Sequence, residues 1–244
     1  MTPLSTLSRR GLVGLSISLA FYRPALAAAD LPVFHPHDVI LFQGDSITEG
    51  GRQAGLDYNH NMGQDYDYIL AAELGLRLAD RDLTFLNRGI SGNTVTDLAA
   101  RWRDDVLALK PNLLSILIGV NDTLFASESV PTYETTYDQL LTDTRAALPQ
   151  IKIVMGQPFV LPVGRQIADY DQHRAAVKLR QDAAARLASK HGWPLIPYQQ
   201  VFDDAQRLAP ADHWSWDGVH PTYAGHGLMS QAWLKTVTTT WPDG

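Results

Sequence analysis

Four short segments of this 244-residue chain carry side chains that could do chemistry together: Gly44-Asp45-Ser46, Asn87-Arg88-Gly89, Gly119-Val120-Asn121-Asp122 and Asp217-Gly218-Val219-His220. They offer a hydroxyl, a glycine N–H, a side-chain amide and an Asp/His pair. A serine hydroxyl is a poor nucleophile near neutral pH and needs a base within hydrogen-bond reach. His220 can serve, with Asp217, three residues earlier, holding its other ring nitrogen. A tetrahedral oxyanion then needs donors already in place, and the N–H groups of Ser46 and Gly89 with the Asn121 amide would supply three. Gly89 has no Cβ to obstruct a substrate. These are the parts of an acyl-transfer site.

Composition narrows the alternatives. The chain contains no cysteine, which removes thiol nucleophiles, disulfide scaffolds and cysteine-ligated metals, so nucleophilic chemistry falls to oxygen and nitrogen. With 45% hydrophobic and 19% charged residues it reads as a globular chain of one medium-sized domain. A net charge of −6 argues against nucleic-acid or anionic-membrane partners and favours a neutral or weakly charged substrate. No phosphate-cradling loop, dinucleotide fingerprint, Gly-x-Ser-x-Gly elbow or His-Glu-x-x-His is present, and no cofactor or metal is implied. His35, His37, His60, His173, His191, His213 and His226 read as surface or satisfied histidines.

The elements that must position these residues follow from hydrophobic patterning. Apolar runs at Val39 to Gln43, Leu83 to Leu86, Leu113 to Ile118, Ile151 to Met155 and Pro194 to Ile196 lack clean alternation and end in Gly, Asn or Pro. Strands of a parallel sheet covered on both faces read this way. Between them, Tyr66, Ile69, Leu70 and Leu74 share one helical face, as do Leu98, Trp102, Val106 and Leu109 on the next. Further helical patterns cover about Tyr133 to Leu148, Tyr170 to His191 and Tyr223 to Val237. Alternating strands and helices predict an open, doubly wound α/β sheet, whose ligand sites lie beyond the carboxyl ends of the strands. All four chemical segments fall there, and the polar stretch Ile47 to Met62 is expected to wall the site. Trp102 is expected in the core, and Arg101 and Arg103 on a solvated face, with a subunit contact as the alternative. The oligomeric state stays open.

Residues 1–29 carry Arg9-Arg10, an apolar run from Gly11 to Tyr22, Arg23 and an alanine-rich end. A dozen apolar residues are too few to span a bilayer, which takes about 20. The pattern matches a cleaved export signal of the twin-arginine kind, leaving residues 30–244 as one catalytic domain of a periplasmic or extracellular protein. The alternative is an amphipathic helix docked on that domain. Cleavage after Ala29 would remove three arginines and no acid, taking the net charge from −6 to −9.

The four ordered blocks resemble those of the SGNH or GDSL-type hydrolases. The segment Asn87 to Val95, continuing through Arg101-Trp102 to Lys110-Pro111, is similar to bacterial acetylxylan esterases of that family. The resemblance implies a flavodoxin-like three-layer α/β/α sandwich on a five-stranded parallel sheet. It also implies Ser46 as nucleophile, His220 as base, Asp217 as its orienter, and Gly89 and Asn121 in the oxyanion hole. The expected activity is hydrolysis of short acyl esters, acetyl above all, on a carbohydrate. A lysophospholipase or thioesterase on the same parts is the enzymatic alternative, and a noncatalytic carbohydrate-binding domain the other. Asp45, Trp214 and Trp216 are candidate substrate contacts, although Asp45 suits bracing its turn and the tryptophans suit packing equally well. Asp122 is expected to fix its loop and Tyr223 to pack, while substrate contact and an exposed polar position suit His213 and His226 equally well.

Overall fold

The computed structural model of the protein describes residues 31–55, 60–126 and 128–243. Its five strands are β1 (Val39–Gly44), β2 (Thr84–Asn87), β3 (Leu113–Leu117), β4 (Lys152–Gly156) and β5 (Leu195–Ile196). They pair in parallel in the order β2-β1-β3-β4-β5. Each of the five apolar runs forms a strand, and the doubly wound order expected of a flavodoxin-like fold is present.

Side-chain alternation explains the sandwich. Along β1, Ile40 and Phe42 enter one core while Leu41 enters the other. The same holds along β3, where Leu113 and Leu117 face one way and Leu114 and Ile116 the other. The first core is closed by α2 (Tyr66–Arg77), α7 (Tyr198–Ala205) and α9 (Tyr223–Thr240), the second by α3 (Val95–Asp105), α5 (Val130–Ala147) and α6 (Tyr170–His191). Both faces of the sheet are thus covered, which is why its strands carry no polar stripe.

The patterning missed the short helices. A one-turn helix, α1 (Ser46–Glu49), opens what was expected to be a loop, and α4 (Val120–Leu124) and α8 (Ala211–Trp214) are equally brief. A single turn has no periodicity to read. The stripe expected to run from Leu98 to Leu109 is divided: α3 ends at Asp105, and Leu107–Leu109 form a 3-10 turn before Lys110 at a positive φ.

One buried polar contact ties the central strand to the last helix. Trp233 donates its indole N–H to the Ser115 hydroxyl over 3.0 Å, with its ring stacked on Phe34 and tilted against Phe42. Ser115→Ala would strand that donor in the core and should cost about 1–3 kcal/mol in urea denaturation. A loss below about 0.5 kcal/mol, typical of a surface change, would show that the indole N–H is satisfied elsewhere.

Candidate active site

Ser46 stands at the first position of α1, directly after β1. Asp45 caps that turn, its Oδ1 accepting the Ile47 N–H over 3.0 Å while its carbonyl accepts from Thr48 and Glu49. The hydroxyl is thereby aimed off the sheet edge. Its Oγ lies 2.8 Å from His220 Nε2, and His220 Nδ1 lies 2.8 Å from Asp217 Oδ2. Residues 174 positions apart are brought together because the parallel strands end at one edge.

The Asp/His loop is built for this contact. Asp217 Oδ1 accepts the N–H groups of Val219 and His220 at 2.9 and 2.8 Å, leaving Oδ2 for the imidazole. Ser215 closes the loop by donating its hydroxyl to the His220 carbonyl while accepting the Gly218 N–H. Gly218 is required twice over: its φ is +90°, and a Cβ there would meet the Leu161 carbonyl at 2.6 Å. Ser215 was not singled out in the sequence, where its place between two tryptophans was the only signal.

Charge follows from these contacts. Burial alone would raise Asp217, but hydrogen bonds from the His220 ring and from the N–H groups of His220 and Val219 outweigh it and bring the carboxyl down to about 2. The bond to Asp217 raises His220 above its ordinary value near 6.5, against the opposing effect of burial. Asp45 and Asp122 are both pushed up to about 7 by burial, and each keeps one carboxyl oxygen without a partner.

The other expected site residues divide. The Asn121 amide, 6% exposed, donates one hydrogen bond to the Asn93 carbonyl over 3.1 Å, leaving its second N–H. Ser46 N–H, in the first turn, has no intrahelical acceptor. Gly89 corrects the expectation. Its N–H is given to Asn87 Oδ1 over 2.8 Å, and its missing Cβ faces the nucleophile turn rather than the substrate, within 2.5 Å of Glu49 N. Glycine is needed there so that two backbones can touch.

A cleft of about 570 Å³ opens beside Ser46 and His220. Trp216, 64% exposed, lines it and stacks on the His220 ring at 5.3 Å and 16°. Asp45 is buried away from the cleft, so its bracing role stands and the substrate contact does not. Trp214 packs against the core and donates its indole N–H to the Ala209 carbonyl, so it too is corrected to a packing residue. Tyr223 is the reverse case: expected to pack, it is 82% exposed and lines the cleft. Of the two readings of His226 the exposed one is corrected: it is buried in the cleft wall with Nε2 2.9 Å from Asp65. His213 is exposed, and Asp122, as expected, fixes its loop by accepting the Val95 N–H. The expected wall is present in part, through Glu49, Gly50 and Gly51. Among the described residues no three His, Asp or Glu side chains converge where a metal could sit.

Residues 42–228 match the model of the GDSL-like lipase/acylhydrolase family. The chain belongs to that family. An acetylxylan esterase from Geobacillus stearothermophilus is 31% identical over 214 residues, covering 83% of this chain and 94% of that one. A crystal structure of an acetylxylan esterase from that organism, Axe2, aligns with a TM-score of 0.74 at 29% identity over 84% of this chain and 95% of its own. A protein from Parabacteroides merdae described as a GDSL-like lipase aligns at 0.79 with 38% identity, covering 84% and 97%. The uncharacterized lipoprotein YqeF of Bacillus subtilis is 37% identical over 94 residues, 38% of this chain and 35% of its own length. Within this family the chain is a carboxylic ester hydrolase.

If His220 is the base that takes the Ser46 proton, it must be neutral to do so, and kcat/KM should fall as pH drops through a midpoint above that of an ordinary histidine. Asp217→Asn removes the largest cause of the raised value. The midpoint should move to lower pH while kcat falls about 10⁴-fold. A pH profile with its acid limb unmoved in Asp217→Asn would separate His220 from Asp217.

Proposed function

We propose that the protein removes short acyl groups, acetyl above all, from a neutral carbohydrate by way of an acyl-enzyme on Ser46. The observation that carries this reading is the hydrogen-bonded series from Ser46 through His220 to Asp217 at the mouth of the cleft. Ser46 attacks the ester carbonyl as His220 takes its proton, and the imidazolium then protonates the departing sugar hydroxyl. Water, deprotonated by His220, releases the acid and restores Ser46. The oxyanion is held by the Ser46 N–H and the second N–H of Asn121.

The cleft supports a sugar rather than a lipid. Trp216 and Tyr223 present exposed aromatic faces, which stack well on pyranose rings. Among the described residues Glu49 and Asp65 line the cleft and no lysine or arginine does, so an anionic headgroup or uronate would meet two carboxylates there. Similarity to an acetylxylan esterase points the same way. Acetylated xylan is the polymer we propose, and the protein acts without a cofactor or a nucleic-acid partner.

Kinetics on a panel of esters tests this reading. Ser46→Ala should lose about 10⁴- to 10⁶-fold in kcat, and Asn121→Ala about 10²- to 10³-fold. Turnover of p-nitrophenyl esters should be highest for acetate. A neutral acetylated glycoside should exceed the matching uronate by about fivefold in kcat/KM, one close like-charge pair being worth roughly 1 kcal/mol in water. Activity that rises with acyl length, or a preference for the uronate, overturns the substrate assignment.

We further propose that residues 1–29, which lie outside the described residues, form a twin-arginine export signal and that the mature domain works outside the cytoplasm. Among the described residues no helix is long and apolar enough to cross a membrane. Sequencing of exported protein should find an N-terminus near Ala29; an intact Met1 on exported material contradicts this.

A further inference from the structure

Arg101 was expected on a solvated face of α3, and the structure places it elsewhere. Its side chain is only 16% exposed, and its guanidinium is spread across three segments of the site. Nε donates to Asn93 Oδ1 over 2.9 Å, and Nη1 donates to the Arg88 carbonyl over 2.7 Å, so both flanks of the Arg88-to-Asn93 loop are fastened to one planar group. Nη2 donates to Gln43 Oε1 over 2.8 Å and reaches the Gly44 carbonyl at 3.4 Å, at the end of β1 just before Asp45 and Ser46. Gln43 Oε1 also accepts the Gly44 N–H. Asp105, one turn along α3, balances the charge at 2.6 Å from Nη1. The Asn93 carbonyl is in turn the acceptor of the Asn121 amide.

These contacts form a closed arrangement. The end of β1, the loop after β2 and, through Asn93, the Asn121 helix after β3 are held in register by a fork with five N–H donors. Arg103, two residues on, shows what a solvated arginine on this helix does instead: it is exposed and reaches only its neighbour Asp104. None of its hydrogen bonds goes to Ser46, His220 or Asp217. We propose that Arg101 is the positioning residue of the oxyanion hole, fixing the Arg88-to-Asn93 loop and with it the carbonyl that orients Asn121 relative to Ser46. This inference rests on the oxyanion assignment made under Proposed function.

Oxyanion donors act on the transition state, so misplacing them lowers kcat and leaves substrate binding alone. Arg101→Met should lower kcat on p-nitrophenyl acetate by about 10- to 100-fold, the loss expected when reacting groups shift by roughly an ångström. KM should stay within about twofold, and the acid-limb midpoint set by His220 should not move. Arg101→Lys keeps the charge and loses the fork, so it should recover only a minor part of the rate. Asn93→Ala removes the Nε acceptor alone, at a half-buried position, and should show the same kcat loss in weaker form even if the arginine variants fold poorly. Trp102→Phe serves as the comparison, since it loosens the same helix by removing the Trp102 indole bond to Thr144 without touching the fork. The proposal is overturned if folded Arg101 and Asn93 variants keep wild-type kcat, if KM rises as far as kcat falls, or if Trp102→Phe matches their loss at equal loss of Tm. Asn121→Ala measured alongside keeps the two claims apart. Full activity in Asn121→Ala removes the oxyanion reading itself, whereas a slow Asn121→Ala beside a fast Arg101→Met removes only the role of Arg101.

Discussion

The turn that presents Ser46 rests on the loop that follows β2, and the closeness of that contact constrains everything around it. Asn87, fully within the protein, directs its amide toward the Thr48 and Met62 carbonyls and to Asp67 Oδ2 at 2.6 Å, and its Oδ1 takes the Gly89 N–H. Two backbones meet at Gly89 with no room for a methyl group. Burial drives the Asp67 carboxyl well above its ordinary range, and the junction's hydrogen bonds lie where water cannot compete. A parallel sheet makes the junction possible, because consecutive strand ends deliver their loops to the same edge.

From that junction the site divides into a chemical part and a holding part. The chemical part, in the proposed mechanism, is small: Ser46, His220 and Asp217 in series, with donors from Ser46 and Asn121. The holding part is larger and lies one layer back. Asp45 caps the nucleophile turn, Ser215 and Gly218 shape the Asp/His loop, and Arg101 ties the loops of β1 and β2 together. Precise placement of a few donors needs many such supports, since each must be locked by its own packing and hydrogen bonds.

The sequence was most legible where chemistry or period repeats. Five apolar runs became five parallel strands, and the hydroxyl, imidazole and carboxylate of Ser46, His220 and Asp217 are in hydrogen-bond contact. It was least legible where burial depends on a partner far along the chain. Arg101 and His226 look like ordinary polar surface positions, and only Asn93, Gln43 and Asp65, brought in by the fold, explain why both are withdrawn from solvent. Trp214 and Tyr223 show the same limit for aromatics, whose composition is indifferent to whether a ring meets the core or a cleft. Gly89 shows it for glycine: that a Cβ is unwelcome was readable, but the direction in which it would collide was not.

The covalent step at Ser46 is the centre of the proposed mechanism. Mixing the enzyme with an acetylated substrate, quenching rapidly in acid and mapping the protein by peptide mass spectrometry tests it most directly. The prediction is one acetyl group on the peptide that carries Ser46, formed at the rate of the initial burst of alcohol release. Acetyl on any other side chain, or a burst of alcohol with no acetyl on the protein, would contradict it.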